Sequence, residues 1–398
     1  MLSSLRIFRN VVNFKGRIFL KTIINIIKKE MMLSISLIAA IISLFITPPS
    51  AELFKSLDWR TLGVLFMMLL VLEGFKRENV LDPIVKLASR FNTMPKLSLF
   101  LIFGVFFTSM FVTNDVSLII IVPLTILLFK QGNKEEYILP VISMENIAAI
   151  RGSLLTPFGS PQNLFLYGQI DVSVWHFSLH MLPLCASSAV LLIIFVLILY
   201  RKNLKEKIDC SEKNGGVGAS GLKKKASYIA LFLVVLLVII TRTTYWPYAI
   251  LIVMAGILLT DRSIFKKVDY VLILTFLCFF IFSSSIAANA KIAEFLKSTV
   301  SNNEYWWSIA LSQLISNVPS TIVLYPFTEN FSALIYGADT AGLVSLIGSL
   351  ASVINYRIYV REYPGKGKAF IKTFTLISWA FFIIVVIPGF LLSRWKFY

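Results

Sequence analysis

Thirteen apolar runs follow one another along this chain, and several are too short to cross a bilayer. They cover 31–47, 61–75, 97–112, 116–129, 138–150, 177–200, 228–241, 246–260, 268–288, 306–315, 321–327, 331–354 and 374–392. A helical crossing needs about 20 residues. The short runs come in adjacent pairs, parted by Asn, Ser, Gly and Pro, which is the pattern of discontinuous helices and re-entrant hairpins. The stretch 97–129 is expected to fold back as one hairpin with its tip at Thr113-Asn114-Asp115. The stretch 306–327 is expected to form a second, with its tip at Ser316-Asn317-Val318-Pro319. Two crossings are expected to break, at 151–163 and 340–352. The fold class is then an all-α polytopic membrane protein with about nine crossings plus two hairpins.

Composition agrees. The chain is 57% hydrophobic and 15% charged, against about 25% charged in an average soluble domain. A soluble enzyme so built would lack polar surface. Cys185, Cys210 and Cys278 lie far apart and imply neither a disulfide framework nor a metal site.

The net charge of +17 fits the positive-inside rule better than nucleic-acid binding, because no aromatic-interleaved basic patch exists. Thirty of the 38 Lys and Arg fall in 1–30, 76–96, 130–134, 201–225, 261–267 and 357–372. Those stretches are one side of the membrane if the N-terminus is cytoplasmic and the hairpins do not cross. The opposite side holds Lys55, Arg60, Arg242, Lys291, Lys297, Arg394 and Lys396, and Arg151 sits within a broken helix. This gives a multi-pass protein of the cell membrane with its C-terminus outside. Residues 1–30 form a basic amphipathic segment that suits the cytoplasmic membrane surface; the other reading puts the true start at Met31 or Met32. The run 31–47 before Pro48-Pro49 resembles a cleavable signal, but its counterpart later in the chain argues for a retained span.

That counterpart belongs to an internal repeat. Asp58-Trp59 opens a span as Asp269-Tyr270 does, at an offset of 211. Residues 113–123 match 316–326 at an offset of 203, keeping the Asn and the Pro nine residues on. Residues 156–163 match 345–352 at an offset of 189. The order span, hairpin, broken helix, span recurs. The chain divides into the N-terminal segment 1–30, a first repeat over 31–200, a polar cytoplasmic linker over 201–225, and an extra span plus second repeat over 226–398. The extra span inverts the second repeat, an architecture of many secondary transporters.

Interrupted helices leave backbone groups that must face protein, water or a ligand. Asn114 and Asn317 are placed to N-cap the returning arms, with Pro319 early in its helix; Ser160, before Pro161, and Ser349 are placed to cap the second pieces of the broken helices. Four positive helix ends would then converge and favour an anion. The candidate binding residues of the first half are Thr113, Asn114, Asp115, Ser117, Arg151, Thr156, Gly159, Ser160, Gln162 and Asn163. Those of the second half are Ser316, Asn317, Pro319, Ser320, Thr321, Ser345, Gly348, Ser349 and Ser352. Their oxygens, with freed carbonyls, could also hold Na⁺. The plain structural alternative is that these residues only cap helices and end hairpins.

The ionisable residues noted within the apolar runs are Glu73, Asp115, Glu145 and Arg151. Glu73 reads as structural, one turn from Lys76 and Arg77. Asp115 is the candidate cation or proton site, or simply an acid at a helix start. Arg151 could pair with Asp115 or Glu145, or touch an anionic solute. His176 and His180 have metal-like spacing but no third ligand, and read as interface histidines. No phosphate-binding loop is present, which disfavours an ATP-driven pump encoded in this chain.

The TNDV…P and ISNVPSTI…P hairpins, with the SLLTPFGSPQN and LIGSLAS loops, resemble the ion transporter superfamily over roughly 35–392. Its members include citrate and dicarboxylate carriers, arsenite permeases and some Na⁺/H⁺ antiporters. The resemblance implies a homodimer with a scaffold and a moving transport domain that carries the site across the membrane. In the dicarboxylate carriers the tips read Ser-Asn-Thr and bind Na⁺ and a carboxylate. Here Asn114 and Asn317 are kept while Asp115 and Val318 depart, so the acidic tip looks more like the arsenite permeases. Where relatives often carry Asn-Pro-Gln-Asn, this chain has Ser160-Pro161-Gln162-Asn163, and its basic Arg151 is unusual.

The leading expectation is a secondary active transporter of a small anion or oxyanion, arsenite-like or a carboxylate, coupled to H⁺ or Na⁺. The alternative is a Na⁺/H⁺ antiporter with Asp115 as ion carrier. No cofactor, resident metal or nucleic-acid partner is implied beyond that coupling ion; the partners are a small anionic solute, the bilayer and a second copy. An intramembrane enzyme lacks a nucleophile–base set, and a channel fits poorly with paired hairpins.

Overall fold

The computed structural model describes residues 31–78, 80, 87–88, 91–208, 222–241 and 243–396. The amphipathic segment 1–30, Cys210, Arg242 and most of the linker lie outside these residues. The described residues are helical throughout apart from connections, with no strand and one isolated bridge, Thr93 to Lys207.

The first half begins with α1 (Met31–Ile46), the short α2 (Ala51–Ser56) and α3 (Trp59–Arg77). It continues with α4 (Met94–Val112), α5 (Asn114–Gln131), α6 (Ile138–Ser153), α7 (Pro161–Gln169) and α8 (Val174–Leu199). Next come α9 (Leu222–Thr241) and α10 (Trp246–Thr260). The second half holds α11 (Tyr270–Ala287), α12 (Ala290–Val300), α13 (Glu304–Ile315) and α14 (Asn317–Leu324). It ends with α15 (Phe331–Ala341), α16 (Leu350–Glu362) and α17 (Gly367–Ser393). The C-terminal end of the polar linker is thus already helical.

Among the described residues, six helices are long and apolar enough to cross a membrane: α4, α5, α8, α9 over Lys223–Thr241, α11 and α17. These six include α4 and α5, expected as hairpin arms; of the nine expected crossings, α1, α10 and the pieces of the broken helices are shorter than a full span, and α3 carries Arg60, Glu73, Lys76 and Arg77. The helices expected to form the two hairpins also differ in length. α4 and α5 have 19 and 18 residues, enough to span; α13 and α14 have 12 and 8.

Local sequence sets the helix ends. Asp58 caps α3 by accepting from Thr61 N at 2.9 Å, and Asp269 caps α11 by accepting from Leu272 N at 3.0 Å. Small residues set the closest helix contacts. A Cβ on Gly152 of α6 would lie 2.0 Å from the Phe106 carbonyl of α4, and one on Gly337 of α15 would lie 2.6 Å from the Tyr305 carbonyl of α13. Glycine lets these backbones touch, the usual device of helix pairing in lipid.

The packing crosses between halves. α7 packs on α14 and α16 packs on α5, so helices far apart in the chain dock on one another. α1 lies along α11, where Ser285 Oγ donates to the Ser43 carbonyl at 2.7 Å. α3 packs on α9 and α10. The outward faces of α8, α10 and α17 carry exposed Leu197, Leu259 and Ile383, as lipid-facing helices should.

Glu73 pairs with Lys76, and Arg77 reaches Asp261 at 2.7 Å. Of the two histidines expected at the membrane interface, His180 is buried within the protein, its Nε2 2.6 Å from Ser332 Oγ, while His176 is exposed. Packing from α15 decides this, and helical spacing alone does not reveal it.

Candidate functional site

Each predicted tip is a one-residue break. Thr113 joins α4 to α5 at φ 72°, ψ 153°, and Ser316 joins α13 to α14 at φ 71°, ψ 160°. Both lie in a region that L residues seldom enter. Two-ended use of the backbone holds them there. The Asn114 N–H donates to the Gly159 carbonyl at 3.2 Å, and the Asn317 N–H donates to the Gly348 carbonyl at 3.1 Å. Each tip is therefore tied to the loop that follows in its own half.

This corrects the capping assignment. Thr113 and Ser316 occupy the N-cap positions, without side-chain cap bonds, and Asn114 and Asn317 are the first helical residues. Their N–H groups serve the loop tethers. Asn114 Oδ1 accepts from Asp115 N at 2.9 Å, while Asn317 Nδ2 donates to the Ala338 carbonyl at 3.3 Å. Ser160 does cap α7, accepting from Asn163 N at 3.4 Å. Ser349 sits at the N-cap of α16 but makes no cap bond, and its buried Oγ has no partner.

The loops between the helix pieces are held by amide side chains. Asn163 Nδ2 reaches the carbonyls of Ser153, Leu154 and Thr156 at 3.2, 3.4 and 3.5 Å. Thr156 Oγ1 donates to the Met110 carbonyl, joining this loop to α4. In the second half Gln313 does the work. Its Nε2 donates to the Ala341 carbonyl at 3.2 Å, and its Oε1 accepts from Ser345 Oγ at 2.7 Å. Gln313 was not a sequence candidate; only its place in α13, next to the tip at Ser316, marks it.

Four helix starts meet at one cavity. Asn114 and Asp115 of α5, Pro161 and Gln162 of α7, Asn317 and Val318 of α14, and Ser349 and Leu350 at α16 line it, with Leu272 of α11. The space is small, about 20 Å³, room for roughly one water. Three oxygens on its lining residues are buried without partners: Asp115 Oδ1, Gln162 Oε1 and Ser349 Oγ. Four helix N-termini supply positive potential here, and one acid supplies negative charge.

The other candidates frame this cavity or lie behind it. Ser117 Oγ bonds the Thr113 carbonyl at 2.9 Å, Thr321 Oγ1 the Asn317 carbonyl at 2.8 Å, and Ser320 Oγ the Ser308 carbonyl at 3.4 Å. Pro319 is buried in the first turn of α14. Ser352 Oγ accepts from Asn146 Nδ2 at 3.0 Å, away from the tips.

Arg151 is fully buried and does not pair with Asp115 or Glu145, which corrects that expectation. Its Nη2 donates to Thr340 Oγ1 at 3.4 Å, and its Nε and Nη1 have no partner. Glu145 instead accepts from Thr125 Oγ1 at 2.5 Å. Next to Thr340 in α15 is Asp339, a buried acid that is not among the sequence candidates. Asp339 Oδ1 accepts from Gln162 Nε2 at 2.9 Å. Its signal was present: one carboxylate within the apolar run 331–354.

Comparison with known proteins agrees with a transport role. A citrate transporter family model matches residues 22–348. The inner membrane protein YbiR of Escherichia coli K12 is 31% identical over 312 residues, 76% of this chain and 80% of that protein. The uncharacterized transporter MJ0456 of Methanocaldococcus jannaschii is 29% identical over 338 residues, 84% of this chain and 89% of that protein. The family and the relative named as a transporter indicate a transporter and not an enzyme, and the apolar helices agree with a membrane protein. The chain is a multi-pass membrane transporter and belongs to the citrate transporter family.

Proposed function

We propose that this protein is a secondary active transporter of a small anion or oxyanion, arsenite-like or a carboxylate, driven by H⁺ or Na⁺. The observation that carries the proposal is the meeting of four helix starts at one cavity. Each N-terminus is worth about 0.3–1 kcal/mol to a bound anion, rising to ~2 when partly buried. Four together approach the ~8 kcal/mol of a micromolar ligand. The present cavity holds about a water, so binding requires the tips to part.

The two halves act as inverted repeats. Matching helix starts at 59 and 270, 114 and 317, and 161 and 350 support this, as do the twin tethers at Gly159 and Gly348. The extra span α9 supplies the inversion. The hairpins and broken helices form the moving body; α1, α3, α9, α10 and α11 form a scaffold through which two copies associate. The N-terminus is cytoplasmic and the C-terminus outside.

The deciding experiment is uptake into proteoliposomes of arsenite, citrate, succinate and sulfate, with proton and sodium gradients imposed separately. Movement of at least one solute under one gradient is expected. No movement of any under either overturns the reading.

One observation favours a second reading, Na⁺/H⁺ antiport. Asp115 Oδ1 lacks a partner on a cavity-lining residue. An Asp115→Asn variant that keeps full pH-dependent exchange would remove it.

A further inference from the structure

Gln162 joins the cavity to a second buried cluster. It lines the cavity, whereas Asp339 does not. Its Nε2 donates to Asp339 Oδ1 at 2.9 Å, and its Oε1 is buried without a partner. A carboxylate oxygen accepts and does not donate. In the observed contact the NH₂ end of the amide turns toward Asp339, and the carbonyl end away from it. The contact spans the two halves, from α7 to α15. Arg151, on α6, bonds Thr340, the residue after the acid.

The consequence lies in what the cavity offers. Helix starts supply N–H groups, which suit a solute's oxygens. Asp115 Oδ1 and Gln162 Oε1 are both unpartnered acceptors. A buried acceptor left without a donor is costly. The complementary solute carries oxygens for the helix starts and also a hydrogen-bond donor.

We propose that Asp339 is a positioning residue for the cavity. It pins the Gln162 amide so that the carbonyl oxygen meets the solute, and so favours acids that present an O–H group over matched acids that lack one. The kinetic consequence rests on the transport reading above; the orientation of Gln162 does not.

Two measurements test it. The first uses full-length protein in lipid vesicles with carbonyl-¹³C glutamine. Infrared difference spectra against Gln162→Leu isolate the carbonyl band of residue 162. In the wild-type protein that band is expected where a carbonyl without a protein donor absorbs. In Asp339→Asn, whose amide can donate, the band is expected to move to lower frequency. A band already at the bonded position in wild type, or one unmoved by D339N, overturns the proposal. If D339N does not fold, R151Q/D339N, neutral on both sides, carries the same comparison.

The second measurement is uptake of citrate against propane-1,2,3-tricarboxylate and of malate against succinate, pairs that differ by one hydroxyl. Wild type is expected to show an apparent KM about tenfold lower for the hydroxylated member. D339N is expected to erase most of that difference with Vmax within about twofold. In a Gln162→Leu background D339N is expected to add nothing; additive effects would mark Asp339 as merely structural and overturn the proposal. If none of the four solutes moves in wild type, the transport reading is the casualty, and the infrared result decides the role of Asp339.

Discussion

Asn114 and Gly159 are joined by a backbone hydrogen bond of 3.2 Å that ties the start of α5 to the loop before α7. Asn317 and Gly348 repeat the link at 3.1 Å in the second half. Both loops turn back on themselves at the same point, with Gly159 N–H donating to the Thr156 carbonyl and Gly348 N–H to the Ser345 carbonyl. The link fixes the tip relative to its loop and brings two helix starts side by side.

Glycine is required at both links for want of space. A Cβ on Gly159 would lie 2.3 Å from the Ser153 carbonyl, and one on Gly348 would lie 2.4 Å from the Ala341 carbonyl. Backbone atoms cannot swing aside. Gly159→Ala and Gly348→Ala should each destabilise by about 1–3 kcal/mol, read as a lower thermal midpoint in detergent. Gly168→Ala, whose nearest neighbour would be Thr61 Oγ1 at 3.7 Å, should not lower it.

Arg151 and Asp339 are both buried, and Arg151 bonds Thr340, the residue after Asp339. Arg151→Met removes the Thr340 bond and the cation nearest this acid, and should cost about 1–3 kcal/mol in unfolding stability. R151M/D339N removes both charges and should recover most of that loss. Equal midpoints for the single and double variants would show that the two residues are not coupled.

Asn114 and Asn317 should both be reachable from water in the working cycle. In a background with Cys185, Cys210 and Cys278 replaced, Asn114→Cys and Asn317→Cys are expected to react with a membrane-impermeant thiol reagent. A transported solute should slow the reaction. Silence at both positions would mean that the tips lie sealed in lipid.

Glu206 binds the linker's first residues to the rest of the protein. It accepts from Lys134 Nζ at 2.5 Å and from Tyr137 Oη at 2.7 Å, beside the Met94 N–H to Glu206 carbonyl bond of 2.8 Å. Lys134 and then Tyr137 hold its carboxyl below the usual 4.5 of a glutamate. The folded value is depressed, so this docking persists through neutral pH and weakens as pH falls below 4.5 through the folded value. Hydrogen exchange at Met94 and Ile208 should quicken in that window. Glu206→Gln should quicken it at pH 7.

Helix breaks were legible because their causes are local. Thr113, Ser316 and Ser160 stand where apolar periodicity stops and short polar residues begin, and the structure breaks its helices at these residues. Hydrogen-bond partners were less legible. Asparagine at a helix start reads as a cap, yet the tether to a glycine loop placed Asn114 and Asn317 one position inside. Asp339 hid among Gly337, Ala338, Thr340 and Ala341, a stretch that reads as a loosening helix. Its partner Gln162 lies 177 positions away, and nothing local records that distance. The burial of His180 is equally non-local, since Ser332 and Tyr336 lie more than 150 positions away.

The crossed docking of α7 on α14 and α16 on α5 has a consequence for biogenesis. When α7 leaves the ribosome its partner helix has not yet been synthesised. Loop 154–160 and the Gln162 amide must wait, uncovered, until residues 317–324 and Asp339 arrive. The nascent first half cannot mature alone in the bilayer. Insertion machinery has to shelter its polar centre, and a chain truncated before α14 would be a substrate for membrane quality control.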